Sequence, residues 1–139
     1  MDDKPQTITG PFGRLIRQEN GLIYFYKADG ITIDKPMAIK FIEIVSELDD
    51  SGSARVLVIQ GDRVEYTFDA QQILLTNKVL GRIAYVATTT VQQLTTELLQ
   101  DLAKTFKARF PVGIFGHIEE AEEWLLHRPK SERNDRFSP

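Results

Sequence analysis

The sequence predicts an α/β fold: a single-domain mixed β-sheet of about five strands with about four helices, in the order β-β-α-β-α-β-α-β-α. Three observations carry this reading. An Asn-Gly turn separates two runs of β-formers near the start, and short apolar runs at 55–59, 83–87 and 112–115 alternate with stretches of helical period. The chain is 139 residues long, 42% hydrophobic and 27% charged, the make-up of one ordinary globular domain. Strands separated by helices imply parallel pairing through right-handed crossovers, and the opening hairpin adds an antiparallel partner.

Leu15-Ile16 and Leu22-Ile23-Tyr24-Phe25-Tyr26 flank Asn20-Gly21, so two antiparallel strands open the domain. Asp34 is a natural N-cap and Pro36 is tolerated in a first turn, where its missing N–H loses nothing. The helix that follows runs to about Leu48. Its Ala38, Phe41, Val45 and Leu48 recur at helical spacing, and Met37, Ile42 and Ile44 widen the apolar arc. Arg55-Val56-Leu57-Val58-Ile59 has the continuous apolar character of a strand covered on both faces, and is the expected central strand. Thr67 or Asp69 caps a second helix that buries Ala70, Ile73 and Leu74, with Gly81 closing that region. Ile83-Ala84-Tyr85-Val86-Ala87 is the next strand. Thr88-Thr89-Thr90 leads into a long helix with Val91, Leu94, Leu98, Leu102 and Phe106 on one side and a polar opposite face. Pro111 marks its end, Val112-Gly113-Ile114-Phe115 is a last strand, and Gly116 opens a final helix with Ile118, Ala121, Trp124 and Leu125 inward. The domain body spans about 11–127, with mobile polar segments expected at 1–10 and 128–139.

Composition excludes several functions. Seventeen Lys and Arg against twenty Asp and Glu give a net charge of −3, which is no footprint for a phosphate backbone, so no nucleic-acid partner is expected. The chain has no cysteine, hence no thiolate nucleophile or cysteine zinc site. No basic-then-apolar leader opens it and no uncharged run approaches the ~18 residues of a membrane helix, so it reads as cytoplasmic, without membrane insertion. Gly-x-Ser-x-Gly is absent and the imidazoles are His117 and His127, which a helix turns about 80° apart, too far to chelate one ion together. Glu119, Glu120, Glu122 and Glu123 suit the first turns of a helix and its solvated face better than a metal site. Trp124 reads as the anchor of that helix. Neither Gly-x-Gly-x-x-Gly nor a phosphate loop occurs. No catalytic residue, metal or cofactor is expected.

Two sets of residues remain as candidates. Ligands in open α/β sheets settle beyond the carboxyl ends of strands, where Gly61, Asp62, Arg63, Thr88, Thr89, Thr90, Gly116 and His117 would converge; Thr67 and Asp69 join them at the start of the second helix. These small polar residues suit a small ligand such as an anion, or a partner loop, and equally serve as ordinary caps and turns. An enzyme would need Asp62, Arg63 and His117 to meet in one cleft. Tyr24 and Tyr26, on one face of a strand, and Ile39, on the far side of the first helix, point to a contact surface for a second copy of the chain.

The element order, with Leu57-Val58-Ile59 and Ala84-Tyr85-Val86-Ala87 each leading to a helix, resembles the SpoIIAA-like branch of the STAS superfamily. The ending carries the resemblance best: Ile114-Phe115 followed by Glu119-Glu120-Ala121-Glu122-Glu123-Trp124-Leu125 is similar to that group's final strand and its "EEAxxWL" helix. The resemblance covers about residues 11–127. It implies a noncatalytic bacterial module that works by contacting other proteins, as anti-sigma-factor antagonists do, or that holds an apolar ligand. In the antagonists a phosphorylatable serine begins the helix after the central strand. The matching segment here, Tyr66-Thr67-Phe68-Asp69-Ala70, has no serine and no following glycine, and Thr67 carries its one aliphatic hydroxyl. The expected function is therefore a protein-interaction or regulatory module, forming a homodimer or docking a protein partner; the alternative is a carrier or sensor of a small apolar or anionic molecule.

Overall fold

The computed structural model describes residues 7–59 and 61–126. Eight strands and four helices follow one another as β1 (Thr7–Gly10), β2 (Gly13–Arg17), β3 (Ile23–Lys27), β4 (Thr32–Ile33), α1 (Lys35–Leu48), β5 (Ala54–Ile59), β6 (Glu65–Tyr66), α2 (Phe68–Thr76), β7 (Leu80–Val86), α3 (Thr90–Thr105), β8 (Val112–Phe115) and α4 (Ile118–Leu126). The main sheet has six strands in the order β1-β2-β3-β5-β7-β8, and β4 pairs with β6 in a small second sheet. β1, β2 and β3 are antiparallel, whereas β3, β5, β7 and β8 are parallel. The fold is thus mixed α/β. The sheet is one strand larger than expected, and three short strands interrupt the expected order.

The extra strands have local causes. Residues 7–10, assigned from sequence to a mobile end, form β1 because Thr7-Ile8-Thr9 pairs with β2 and half-buries Ile8 against the core. β4 and β6 are two residues each, below the length at which period-2 alternation is readable. His127 and the segment 128–139 lie outside the described residues.

The parallel strands β3, β5 and β7 are buried on both faces, and the edge strand β8 is half-buried. On one face α1, α2 and α3 cover Ile23, Phe25, Val56, Val58, Ile83 and Tyr85 with Phe41, Val45, Leu48, Leu74 and Leu99. On the other, among the described residues, α4 lays Ala121 and Leu125 over Leu22, Tyr24, Leu57, Ala84 and Val86. The caps are side chains in the expected places. Asp34 accepts from the N–H of Met37 at the start of α1, and Thr67, not Asp69, accepts from that of Ala70 at the start of α2. Each such cap stabilises its helix by about 1 kcal/mol.

Three sequence readings are corrected. Gly81 does not close α2; Asn77 does, its amide donating to the carbonyls of Ile73 and Leu74 and its oxygen accepting from Val79 and Leu80 N–H. Gly81 lies within β7, where a Cβ would stand 2.7 Å from the Ser53 carbonyl oxygen. Ile118, expected inward on α4, is exposed; Trp124 does pack against the cluster beneath that helix, half-buried, with its ring against Phe115 and beneath the Arg82 guanidinium.

The third correction concerns α3. Its apolar side is not its buried side: Gln92, Thr96, Leu99 and Ala103 face the sheet, while Val91, Leu94 and Leu98 are 66%, 60% and 53% exposed. Hydrogen bonds seat the helix this way. Thr89 and Gln92 form a reciprocal capping box, the Gln92 oxygen also accepts from Thr88 N–H, and its amide donates to Asp62 at 2.7 Å. The Thr96 hydroxyl donates to the Gln92 carbonyl, so both inward polar groups are bonded and cost little to bury.

Candidate functional site

β3 carries the most unusual side chain. Alternation along the strand sends Ile23, Phe25 and Lys27 toward α1 and α2, and Tyr24 and Tyr26 toward α4. Lys27 therefore enters the core face. Its neighbours approach too closely for side chains: a Cβ on Gly13 would meet the Tyr26 carbonyl oxygen at 2.1 Å, and one on Gly61 would meet that of Ala28 at 2.8 Å. Only glycine fits at either place.

Lys27 is buried, and its ammonium group donates to the Tyr66 hydroxyl. It stands over the ring faces of Tyr66 at 4.5 Å and of Phe25 and Tyr85 at 5.5 Å each. A cavity of about 20 Å³ adjoins it, lined otherwise by Phe12, Ile33, Met37, Phe41, Val58, Leu74 and Ile83. That is room for about one water. Burial pulls the Lys27 amine down to about 7, and pushes the Tyr85 hydroxyl above its ordinary range. The ring faces act the other way on Lys27, favouring the cation, but a full charge in an apolar cavity loses more in hydration. The result is an amine that titrates near neutrality. Phe12 and Met37 also line an open groove of about 330 Å³ with Ile8, Pro11, Pro36 and Ile44, so these two side chains separate the cavity from the surface.

The second feature lies beyond the carboxyl end of β5. Gly61, Asp62, Arg63, Val64 and Glu65 face Thr89, Val91, Gln92 and Thr95 across a cleft of about 610 Å³. Asp62 is held at three points: its N–H donates to Asp29, its carbonyl accepts from Gly30 N–H, and its carboxylate accepts from Gln92. Arg63 has a positive φ of 54°.

Of the residues predicted to converge, Gly61, Asp62, Arg63 and Thr89 line this cleft, and Thr88 adjoins it through its bond to Gln92. Thr90 begins α3 without lining it, Thr67 is turned back as the cap of α2, and Asp69 is exposed on that helix. Gly116 and His117 do not join them. β8 is separated from β5 by β7, so its carboxyl end lies about 10 Å across the sheet. The meeting of Asp62, Arg63 and His117 that an enzyme would require is absent from the cleft. Among the described residues no group of three or more His, Asp or Glu is placed to hold a metal ion.

The expected contact residues fare unequally. Tyr24 is buried beneath α4 within the chain itself, and Tyr26 is half-buried with the Arg14 guanidinium 4.9 Å over its ring. Ile39 stays 40% exposed. The larger apolar surface lies elsewhere, on Val91, Leu94 and Leu98 of α3 and on Phe68, 62% exposed, whose ring meets Phe106 at 5.9 Å.

Lys27 was legible as a position and missed as a site. Period-2 alternation from Ile23 and Phe25 puts Lys27 on their face, and a lysine on a core face is the signal.

No helix among the described residues is long and apolar enough to cross a membrane. Neither a curated protein nor a solved structure matches the chain. A family does, over residues 16–128, from the end of β2 through α4, a span that holds Lys27 and the strand-end cleft: the chain belongs to the family described as domain of unknown function (DUF7793).

Proposed function

We propose that this protein is a noncatalytic, cytoplasmic interaction module of SpoIIAA-like, STAS type that acts by self-association through the outer face of α3. One observation carries the reading. Val91, Leu94, Leu98 and Leu102 recur at i, i+3, i+7 and i+11, and the first three are more than half exposed while Gln92 and Thr96 of the same helix are buried. A stripe of this length on one helix exceeds the scattered single exposures of ordinary surfaces.

A second copy of the chain is the occupant that the charges favour. The start of α3 is flanked by Asp62, Arg63 and Glu65, acidic in balance, whereas Asp101 and Lys104 in its last turns, with Lys107 and Arg109 just beyond, are basic in balance. Two α3 helices laid antiparallel about a two-fold axis bring each acidic end against the partner's basic end, with leucine against leucine between them. The resemblance to STAS domains supports a module that works by contact. The phosphoserine switch of the antagonists is not part of the proposal, because Thr67 already spends its hydroxyl on the α2 cap.

Native mass spectrometry and sedimentation of the purified protein test this. The expected result is twice the mass of the chain, reduced to one chain by Leu94→Glu with Leu98→Glu, with the circular dichroism unchanged. A wild-type monomer, or a dimer that survives both glutamates, overturns the proposal; a different protein bound to the stripe of a monomeric chain does the same.

A further inference from the structure

The Lys27 cavity has a chemical character that a contact module does not use. Its wall is almost wholly apolar, and Lys27, Tyr66 and Tyr85 are among its lining residues; the Lys27 amine lies among the lining rings of Phe25, Tyr66 and Tyr85 with its hydrogen bond to Tyr66. We infer that the Lys27 cavity and the groove beyond Phe12 and Met37 form a site for reversible covalent capture of small apolar aldehydes, with the Lys27 amine as the point of attachment. This goes beyond the self-association proposed above and does not depend on it.

The lining selects the ligand class. A carboxylate or a carbamate would bring a full negative charge into an apolar wall, whereas an imine is neutral and compact. The chemistry balances without a further reagent. The nitrogen lone pair of neutral Lys27 attacks the carbonyl carbon, the carbinolamine loses water, and C=N replaces C=O; both amine hydrogens leave with the carbonyl oxygen as water. The Tyr66 hydroxyl, already bonded to the amine, is placed to donate a proton to the departing oxygen and take one from the nitrogen. Burial keeps a large share of the amine unprotonated near pH 7, which exposed lysines do not share.

Space sets the shape of the ligand. The cavity, about 20 Å³, holds the reacting carbonyl carbon and little more. The hydrocarbon tail therefore runs between Phe12 and Met37 into the groove of about 330 Å³ over Ile8, Pro36 and Ile44. Met37, unbranched and half-buried, is the side chain best able to move aside.

The test uses the protein's own lysines as internal references. The intact protein is treated at pH 7 with hexanal and cyanoborohydride, which reduces each imine to a stable hexyl-lysine, and peptides are mapped by mass spectrometry at early times. Lys27 is expected to be labelled about tenfold faster than exposed Lys35, Lys40 or Lys104, and to lose that preference when the protein is unfolded in urea. In Met37→Trp, confirmed folded by circular dichroism, labelling of Lys27 falls to the level of the exposed lysines or below it while Lys104 is unchanged. Labelling of Lys27 no faster than Lys40 in the wild type overturns the inference, and so does fast labelling that persists in folded Met37→Trp.

Discussion

Replacing Lys27 with methionine should change how stability depends on pH, and the change follows from the burial of one amine. The Lys27 amine falls from 10.5 to about 7 in the folded protein. Between those values the unfolded chain binds more protons than the folded one, so stability rises with pH across the window from about 7 to about 10 and is flat below it, where both states are protonated. At about 1.36 kcal/mol per pH unit, burying the amine costs about 4 kcal/mol at pH 7 and about 2 kcal/mol at pH 9. Wild-type protein should therefore gain about 2 kcal/mol on going from pH 7 to pH 9, with the favourable ring faces making this an upper bound. Tyr85 works in the opposite direction, its contribution intact below its ordinary range near 10 and lost above it, so pH 9 is the right upper limit. Lys27→Met removes the proton linkage and forfeits the bond to Tyr66, itself about 1–3 kcal/mol. The variant should then be about 2 kcal/mol more stable than wild type at pH 7 and about equal to it at pH 9. Urea titrations of both proteins at the two pH values measure this, with a midpoint difference of about 1 M at pH 7 for a slope of about 2 kcal/mol per M. Taking the difference between the two proteins cancels other titrating groups. Parallel pH dependences in wild type and Lys27→Met would refute the reasoning.

Two further perturbations test how α3 is seated. Leu99→Ala should cost about 2–5 kcal/mol in chemical denaturation and Leu98→Ala, one residue away, less than about 0.5 kcal/mol in the monomer, because Leu99 is fully buried and Leu98 is 53% exposed; equal costs would mean the helix is rotated. Gln92→Leu adds an apolar group on the inward face yet should destabilise by about 1–3 kcal/mol, since Asp62 loses its Gln92 donor and Thr88 N–H its acceptor; a stabilised variant in the same titration would show that hydrophobicity, not the polar network, decides the orientation.

Much of the fold was legible because its signals are local. Asn20-Gly21 lies between β2 and β3, with the Asn20 side chain accepting from Leu22 N–H, and Asp34 with Pro36 begins α1 as a cap followed by an early proline should. The continuous run in β5 marked a strand with a covered face on each side, as Val56 and Val58 on one face and Leu57 on the other now illustrate. What escaped was non-local or too short. β1 needs β2 to exist, β4 and β6 offer two residues each, and Gly81 reads as a helix terminator until its approach to the Ser53 backbone is known. Four of the nine residues that line the strand-end cleft, Gly61, Asp62, Arg63 and Thr89, were legible in the sequence. The loop after β5 and the start of α3 belong to adjacent strands, whereas Gly116 and His117 follow the edge strand, and strand order is a property that no single segment encodes.

The two functional proposals come from opposite failures of one rule, that apolar side chains face inward and polar ones outward. On α3 the rule fails because Gln92 and Thr96 are fully hydrogen-bonded within the helix start and to Asp62, which removes the cost of burying them and releases Val91, Leu94 and Leu98 to the surface. At Lys27 it fails because strand alternation leaves the side chain no other direction. Turning Lys27 outward would slip β3 by one residue and bury Tyr26 in place of Phe25, undoing the stack of Phe25 on Phe41 at 5.1 Å. The strand register thus holds a titratable amine inside the core at a cost to stability at neutral pH. A methionine of similar length would avoid that cost, which makes a use for the amine the more economical account of its presence than packing alone.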